Sequence, residues 1–402
     1  MILILLCSAP TLAAGAALDL YGLVDARLQL MKDVAAYKWH HGLAIEDQDR
    51  EAVVLDRAVA EALQHGLTTT SSRRLFAAQI EAAKAIQRHW FDVWRDGAAP
   101  PDAPDLEHEL RPELLRLGDA IVAAAADIRE PLHAAAFADA VMVPGLDRQN
   151  RDALFDALDR LERYPHRLAQ VLNSGVLRIG TTGDYAPFSY RRESDAVPTG
   201  IDIDLGRDLA TALGVQARFV ATSWPDLMAD LAAGRFDIGM SGISRTLQRQ
   251  RQAFLSPPYY VGGKTAIARC DRVADFDSLD AIDQPGVTVV VNPGGTNERF
   301  VDLHIHRAEK RLHADNRTIF DEIAAGRADV MITDRVEVEL QAGRYARLCA
   351  AMDDNLTYQE KAYLLPQDPV WQAFVATWLD LALADGTVAR VFRDHGVEPR
   401  PR

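Results

Sequence analysis

One discontinuity constrains this chain more than any other feature of its sequence. Up to about Tyr164, Ala, Leu, Glu, Asp and Arg dominate, and no run alternates polar and apolar residues as a strand does. From Val176 onward, short β-branched runs alternate with amphipathic helical stretches. One layered domain cannot accommodate both patterns, so the expected fold class is multi-domain, an all-α bundle followed by an α/β part with parallel strands. The 402 residues leave room for two or three domains.

In the first half the periodicity predicts helices over residues 18–40, 47–66, 71–94, 107–125 and 148–163. Asp47 can cap the second, and Gly66 sits where a helix C-terminus favours glycine. GAAPPDAPD (97–105) is a Pro-rich breaker. In the second half VLRIGTT, ARFVAT, FDIGMSG, VTVVVNPGG and DVMITD each read as a buried strand, most of them followed by a helix. LAAGRFDIGMSG (231–242) echoes IAAGRADVMITD (323–334): a helix ends at Gly and enters a strand. Two lobes built to one plan produce such an echo, although helix–Gly–strand joints are common in themselves. The expected division is 1–17 as a leader, 18–163 as the bundle, 164–174 as a linker and 175–398 as the α/β domain. Within that domain, lobe 1 covers about 175–268 and 367–398, and lobe 2 about 269–366.

The expected leader is MILILLCSAPTLAAGAA. Its apolar run is too short to span a bilayer and ends in an A-x-A pattern, which reads as a secretory signal peptide. No Lys or Arg precedes that run, so the start codon is expected upstream. Cys7 follows Leu6, which is not the small residue that a lipoprotein site prefers. Export leaves Cys270 and Cys349, read either as one disulfide or as two buried thiols, with the bridge favoured. CxxC and HExxH motifs are absent and the histidines are scattered, so no metal site is expected. The formal net charge of −14 disfavours nucleic acid and anionic membrane as partners. It also means that cations binding small anions must be placed deliberately.

In the first helix Arg27 and Lys38 are eleven residues apart, about three turns, which puts both on one face among Leu23, Val24, Leu28, Val34 and Ala35. Cations on a core-facing stripe demand an anion, unless they snorkel to the edge of the bundle. Arg50 lies in the first turn of the next helix, where an acid would be the structural choice. The run LVDARLQLMKDVAAYKWHHGLAIEDQDRE resembles the opening of the secreted, gamma-type AroQ chorismate mutases over about 145 residues, most strongly over the first 90. The resemblance implies Arg27, Lys38 and Arg50 as holders of the two chorismate carboxylates. It also implies Gln87, in QI-x-A-x-x-AI-x, as the donor to the ether oxygen. The family carries one further Arg from a later helix. Here its slot falls near Ala120, with Arg111 and Arg116 nearby and neither assignable.

The second half resembles the type 2 periplasmic amino-acid-binding proteins over about 230 residues. GTTGDYAPFSY, GIDIDLGRDLATALG, SWPDLMADLAAGRFDIGMSGIS and RQRQAFLSPPY are that fold's successive signatures. The likeness implies Arg249 as a fork on a ligand carboxylate and Thr296 at an anion-binding helix N-terminus. A narrower likeness, carried by TTGDY-x-PFSY, TSWP-x-LM, MSGIS, NPGGTNE-x-F, TD-x-x-E and EKAYLLP, is to the periplasmic cyclohexadienyl dehydratases. It implies Asn297 and Glu337 as the catalytic pair, and Lys264, Tyr185, Asp184 and Trp224 as pocket residues. Asp334 stands where binding proteins hold an amino group, which would admit arogenate beside prephenate.

Together the resemblances imply a bifunctional enzyme of phenylalanine synthesis: chorismate is rearranged to prephenate, then prephenate is dehydrated and decarboxylated to phenylpyruvate. No cofactor is required. The rearrangement needs only a positioned dianion and a donor to the ether oxygen. The dehydration needs an acid, so Glu337 must have a raised pKa, with the ring carboxylate in a less cationic place. A solvated Glu337 in the first turn of a helix is the structural alternative. The rival functions are a mutase fused to a non-catalytic amino-acid-binding domain and a sensor ectodomain. A sensor ectodomain is expected to continue into a transmembrane segment, and none follows Arg402, which disfavours the sensor. A homo-oligomer is compatible with this sequence, which sets no oligomeric state.

Overall fold

The computed structural model describes residues 11–192, 194 and 197–400, with the side chains of 11–14 left out. The proposed leader therefore lies mostly outside the described residues. The chain divides into two compact units, 1–165 and 166–402.

The first unit is all helical: α1 (Thr11–Gln29), α2 (Met31–His40), α3 (Gln48–Gln64), α4 (Thr69–Arg95), α5 (Arg111–Asp127), α6 (Ala134–Ala140) and α7 (Arg148–Asp159). The single helix expected over 18–40 is interrupted at Leu30, yet the chain keeps its direction, because Val34 N–H still donates to Leu30 O at 3.0 Å. Asp47 caps α3 as expected, its carboxylate accepting from Arg50 N–H at 3.0 Å. A single π-helical turn, Leu106–Leu110, leads into α5 after the Pro-rich breaker. Helix α6 was not expected; its seven residues, AAAFADA, are too few to show a period. The bundle core is Leu20, Val24, Leu28, Phe76, Ile86, Ile121, Phe137 and Leu154, all buried.

The second unit opens with a helix where a linker was expected. Residues 164–174 are not a free linker, since Arg167–Ser174 form helix α8. His166 caps it through Ala169 N–H at 3.0 Å, and Val171 is buried in the core of the unit. Two five-stranded sheets follow. The first runs Gln216–Ala221, Val176–Thr181, Ile238–Gly239, Leu364–Leu365, Phe254–Leu255 in spatial order. The second runs Glu309–Leu312, Thr288–Val291, Val330–Asp334, Lys264–Arg269, Leu348–Ala350. Each has three parallel strands in sequence order two, one, three, then two antiparallel strands.

The sequence echo marks equivalent places in these two sheets. Gly234 and Gly326 take left-handed φ values of 68° and 73° between helix and strand. Asp237 accepts from Arg178 N–H at 2.8 Å, and Asp329 from Thr288 N–H at 2.9 Å, each fastening the third strand to the first. The lobe limits differ from those expected. Lys264–Arg269 belongs to the second sheet and Leu364–Leu365 to the first, so the chain changes lobe at about 263 and 362. The crossing segments Tyr260–Gly262 and Gln359–Lys361 pair as a small antiparallel ribbon between the lobes. No periodicity distinguishes a strand that stays in its lobe from one that crosses. Cys270 and Cys349 are bonded, which ties together two ends within the second sheet's lobe.

Among the described residues Asp237 is also the sole carboxylate in contact with the buried Arg178 guanidinium, at 2.7 Å, and it holds Arg167 at 3.2 Å. Removing one partner of a buried ion pair strands the others. Asp237→Ala is expected to destabilise the second unit by about 3–5 kcal/mol, read from its transition in urea unfolding of the full chain.

Candidate functional site

The first unit contains a cavity between α1, α2, α3, α4 and α5. Arg27, Lys38, Arg50 and Gln87, the four residues singled out from the sequence, all line it. Four helices bring them together: α1 carries Arg27, α2 Lys38, α3 Arg50 and α4 Gln87. Apolar residues Val34, Val54, Ile80, Leu114 and Phe76 complete the wall.

Arg27 decides the chemistry of this cavity. It is 7% exposed, and its Nε and Nη1 have no hydrogen-bond partner. Burial lowers its pKa to about 10, so the group stays cationic at neutral pH. An unpaired guanidinium at such depth is unfavourable unless an anion joins it. Lys38 donates to Ile45 O at 2.7 Å, which anchors it at the rim. Gln87 is buried; its Nε2 rests on Ala83 O at 3.3 Å and its Oε1 has no partner.

Three further cations line the cavity: Arg57 and Lys84, not singled out from the sequence, and Arg111, named there without assignment. Lys84 lies between Glu51 at 3.2 Å and Glu81 at 2.6 Å. Its position three residues before Gln87 on α4 was the available signal. Arg111 lines the cavity and pairs with Glu107. Arg111, at the start of α5, lines the cavity, whereas Ala120 is not among its lining residues. Arg116 is exposed and holds Glu113 at 2.6 Å, away from the cavity.

In the second unit a small cavity lies between the two lobes, lined by Tyr185, Trp224, Ser244, Arg249, Asn292, Thr296, Asn297, Asn316, Asp334 and Lys361. The lobes touch across it: Asn316 Nδ2 donates to Asp184 O at 3.1 Å, and the Tyr185 hydroxyl donates to Asp334. A Cβ on Gly294 would meet Pro225 N at 2.6 Å, so this glycine permits the close approach of the lobes. Helix Thr296–His304 begins at the cavity wall, where Gly295, Thr296 and Asn297 line the space.

Arg249 is 5% exposed, held by Ser244 O at 2.7 Å, and burial lowers its pKa to about 10. It is therefore not the surface charge that its Arg-rich run could have meant. Burial alone would raise the Asp334 carboxyl, but Lys264 at 3.4 Å and Lys361 at 2.5 Å hold it well below the usual carboxylate range. Lys264 also contacts Asn297 Oδ1 and, at 3.4 Å, Thr296 Oγ1. Trp224 Nε1 donates to Asp184 at 3.1 Å, and burial raises the Asp184 carboxyl.

Glu337 and Lys264 lie directly behind the wall. Glu337 is 1% exposed, so the solvated reading of this first-turn residue fails. Its Oε1 accepts from Asn316 Nδ2 at 3.1 Å, and its Oε2 from the Thr333 hydroxyl at 2.5 Å. Asn297 Nδ2 donates in turn to Thr333 Oγ1 at 3.0 Å, so Asn297 and Glu337 are joined through one hydroxyl. Burial, with Asp334 adding to it, pushes Glu337 up to about 8. Thr333, Asn316, Ser244 and Lys361 were missed; Thr333, Ser244 and Lys361 lie inside TD-x-x-E, MSGIS and EKAYLLP, where their motifs gave the signal. Asn316 had none.

Residues 177–397 match the bacterial extracellular solute-binding proteins, family 3. The chain belongs to that family. Residues 18–88 match chorismate mutase type II, so this family 3 chain carries a mutase domain in front. Its family 3 region is similar to cyclohexadienyl dehydratase of Pseudomonas aeruginosa, 48% identical over 241 residues, which cover 60% of this chain and 89% of that protein. It is more distantly similar to an L-cystine-binding protein of Escherichia coli, 27% identical over 169 residues, 42% of this chain and 62% of that protein. Among solved structures, an ancestral amino-acid-binding protein, a precursor of cyclohexadienyl dehydratase, superposes with TM-score 0.53 at 31% identity. That match covers 57% of this chain and 98% of that one. The chain thus joins a chorismate mutase domain to a dehydratase homologue, as expected of a bifunctional enzyme of phenylalanine biosynthesis.

Arg27→Met replaces a buried unpaired charge with an apolar side chain. The expected result is a rise of about 10- to 100-fold in the KM for chorismate, with thermal stability of the first unit unchanged or higher.

Proposed function

We propose that the first unit rearranges chorismate to prephenate and that the second converts prephenate to phenylpyruvate, with arogenate as a second substrate. The observation that carries the dehydratase reading is Glu337, a carboxyl buried and raised to about 8 beside the cleft. A non-catalytic amino-acid binder has no use for such a group, because an ionised carboxylate there would be costly and a neutral one holds no ammonium.

In the mutase cavity Arg27, Lys38 and Arg50 hold the two carboxylates, with Lys84 and Arg111 adding to the positive field. Gln87 Nε2 turns from Ala83 O to the ether oxygen, where negative charge develops as the C–O bond breaks. No proton moves, so donors and position supply all the catalysis.

In the cleft, Arg249 takes the side-chain carboxylate. The bond from the ring to its carboxylate breaks, and the electron pair becomes part of the aromatic ring. The C–OH bond breaks at the same time, and the departing oxygen takes the Glu337 proton and leaves as water. Prephenate and one proton thus give phenylpyruvate, CO2 and water. Asn297, fixed by Lys264, Asn292 and Thr333, orients the leaving hydroxyl. Membership of an extracellular family and the bonded cysteines support a periplasmic location, reached through the leader at 1–17.

Chorismate given to the purified full chain should yield phenylpyruvate with prephenate as a transient. Prephenate that accumulates without phenylpyruvate would sink the dehydratase assignment, and phenylpyruvate formed only from added prephenate would sink the mutase. Glu337→Gln should leave mutase turnover unchanged and cut dehydration by about 10²–10⁴-fold, the usual worth of a general acid.

Dehydration also carries a pH signature. An acid that titrates at about 8 is protonated below that pH, so kcat/KM for prephenate should be level up to about 8 and fall roughly tenfold per pH unit above it. Because the folded value is raised, the group's contribution to stability is complete at acid pH and is lost as pH climbs through about 8. A rate that rises through this window would refute Glu337 as the acid.

A further inference from the structure

Asn316 belongs to the second lobe, stands on the cavity wall and reaches the first lobe. It is 3% exposed, and its Nδ2 donates both to Asp184 O in the first lobe and to Glu337 Oε1 in the second, each at 3.1 Å. A carbonyl oxygen can only accept, so the contact with Asp184 O fixes which end of the amide faces Glu337. The other end, Oδ1, is buried without a partner. The turn that carries Asn316 is clamped. Asp315 accepts from Arg317 N–H at 3.0 Å and from the Arg317 guanidinium at 2.9 and 2.8 Å. Arg317 Nη1 then meets Arg191 O of the first lobe at 3.3 Å.

Glu337 therefore has a donor on each oxygen, Asn316 on Oε1 and the Thr333 hydroxyl on Oε2. Two donors suit the carboxylate that remains once the proton has left. They do not suit the neutral acid, whose O–H needs an acceptor. Thr333 comes from Glu337's own lobe, but Asn316 is oriented by the opposite one. The donor on Oε1 is thus complete only when the lobes meet. With the lobes apart, Asp184 O is withdrawn, and half a turn of the amide brings Oδ1 to the carboxyl. We propose that Asn316 is a positioning residue for the dehydration: its Oδ1 accepts from neutral Glu337 in the open cleft, and its Nδ2, oriented by Asp184 O on closure, donates to the carboxylate as the proton departs. The O–H bond of Glu337 breaks, the proton goes to the departing hydroxyl oxygen, and the electron pair stays on the carboxylate. Asn316 itself gives up no proton. This rests on the dehydratase reading of the cleft and deepens it.

Among the described residues, the titratable and charged groups that act on Glu337 are Asp334 at the end of the preceding strand, Lys264 on the neighbouring strand, and Asp184 and Tyr185 from the first lobe. A change at Asn316 alone leaves each of them its partner. Asp334 keeps Lys264 and Lys361, Tyr185 keeps Asp334, and Asp184 keeps Trp224. Loss of the Asn316 N–H then acts on Glu337 in one direction. It removes a contact that favours the ionised form and leaves the desolvation that opposes it. Glu337 becomes a weaker acid and stays protonated to higher pH.

The test is the pH profile of kcat for prephenate, measured on the full chain, because closure belongs to the substrate complex and kcat reports that complex. Asn316→Leu removes the N–H while keeping the space filled. Its kcat on the acid side of the profile should fall about tenfold, and its alkaline limb should move up by at least about half a pH unit. Its KM should change by less than about threefold, since Asn316 holds the acid and not the substrate. Mutase turnover should stay at the wild-type level. Asn316→Val gives the same reading if the leucine variant does not fold. A lower kcat with the limb unmoved or moved down is what a merely structural role produces, and it overturns the inference. Wild-type values of both kcat and limb overturn it as well. Glu337→Gln separates the two levels of the reading. If that variant turns over prephenate normally, the dehydratase reading falls and takes this inference with it. If it is inactive while Asn316→Leu matches the wild type, this inference falls alone.

Discussion

Both sites depend on how this chain handles buried charge. A cation taken out of water must find an anion or remain a liability. The two units solve this differently. In the helical unit Arg27 Nε and Nη1 are left without a partner at the wall of a cavity, where an anion would offset the charge. In the α/β unit Lys264 and Lys361 converge on Asp334, and a second carboxyl, Glu337, three residues later is kept neutral in the same field.

That pairing explains why two adjacent carboxyls can have opposite character. Asp334 and Glu337 are both buried, and burial raises both. Two ammonium groups reverse the effect at Asp334 and hold it ionised. Among the described residues Glu337 has only a hydroxyl and an amide as hydrogen-bond partners, so desolvation wins there and the proton is held more tightly. The strand Val330–Asp334 places the first at its end, and the helix that follows turns the second behind the cavity wall. The junction of strand and helix therefore produces an acid and an ion-pair anchor within one turn of chain.

The fold accommodates these sites by placing them at joints. In the bundle, α1 is interrupted at Leu30, yet Arg27 and Lys38 still face one cavity because the chain continues in nearly the same direction. In the second unit the cleft lies where two sheets of equivalent topology face each other, and the ribbon that links them carries Lys361 into it. Gly263 belongs to the same crossing. A Cβ there would fall 1.9 Å from Thr357 O, so only glycine lets the chain pass directly into Lys264.

Much of this was legible in the linear sequence, because it depends on local period and short motifs. The switch from helical to alternating patterns set the two units. The echo of helix, Gly and strand set the equivalent third strands, and the motifs supplied Arg27, Lys38, Arg50, Gln87, Arg249, Asn297, Asp334 and Glu337. What the sequence could not hold were properties that arise from distant segments meeting. The helix Arg167–Ser174 looked like a linker because its partners, among them the half-buried Asp368, lie about two hundred residues away. The lobe limits were misplaced because a crossing strand has the same pattern as one that stays. Arg111 and Lys84 gained their meaning only when α3, α4 and α5 closed around one space. The ionisation of Asp334 and Glu337 was likewise a tertiary outcome, since it depends on which cations reach each carboxyl once water is gone.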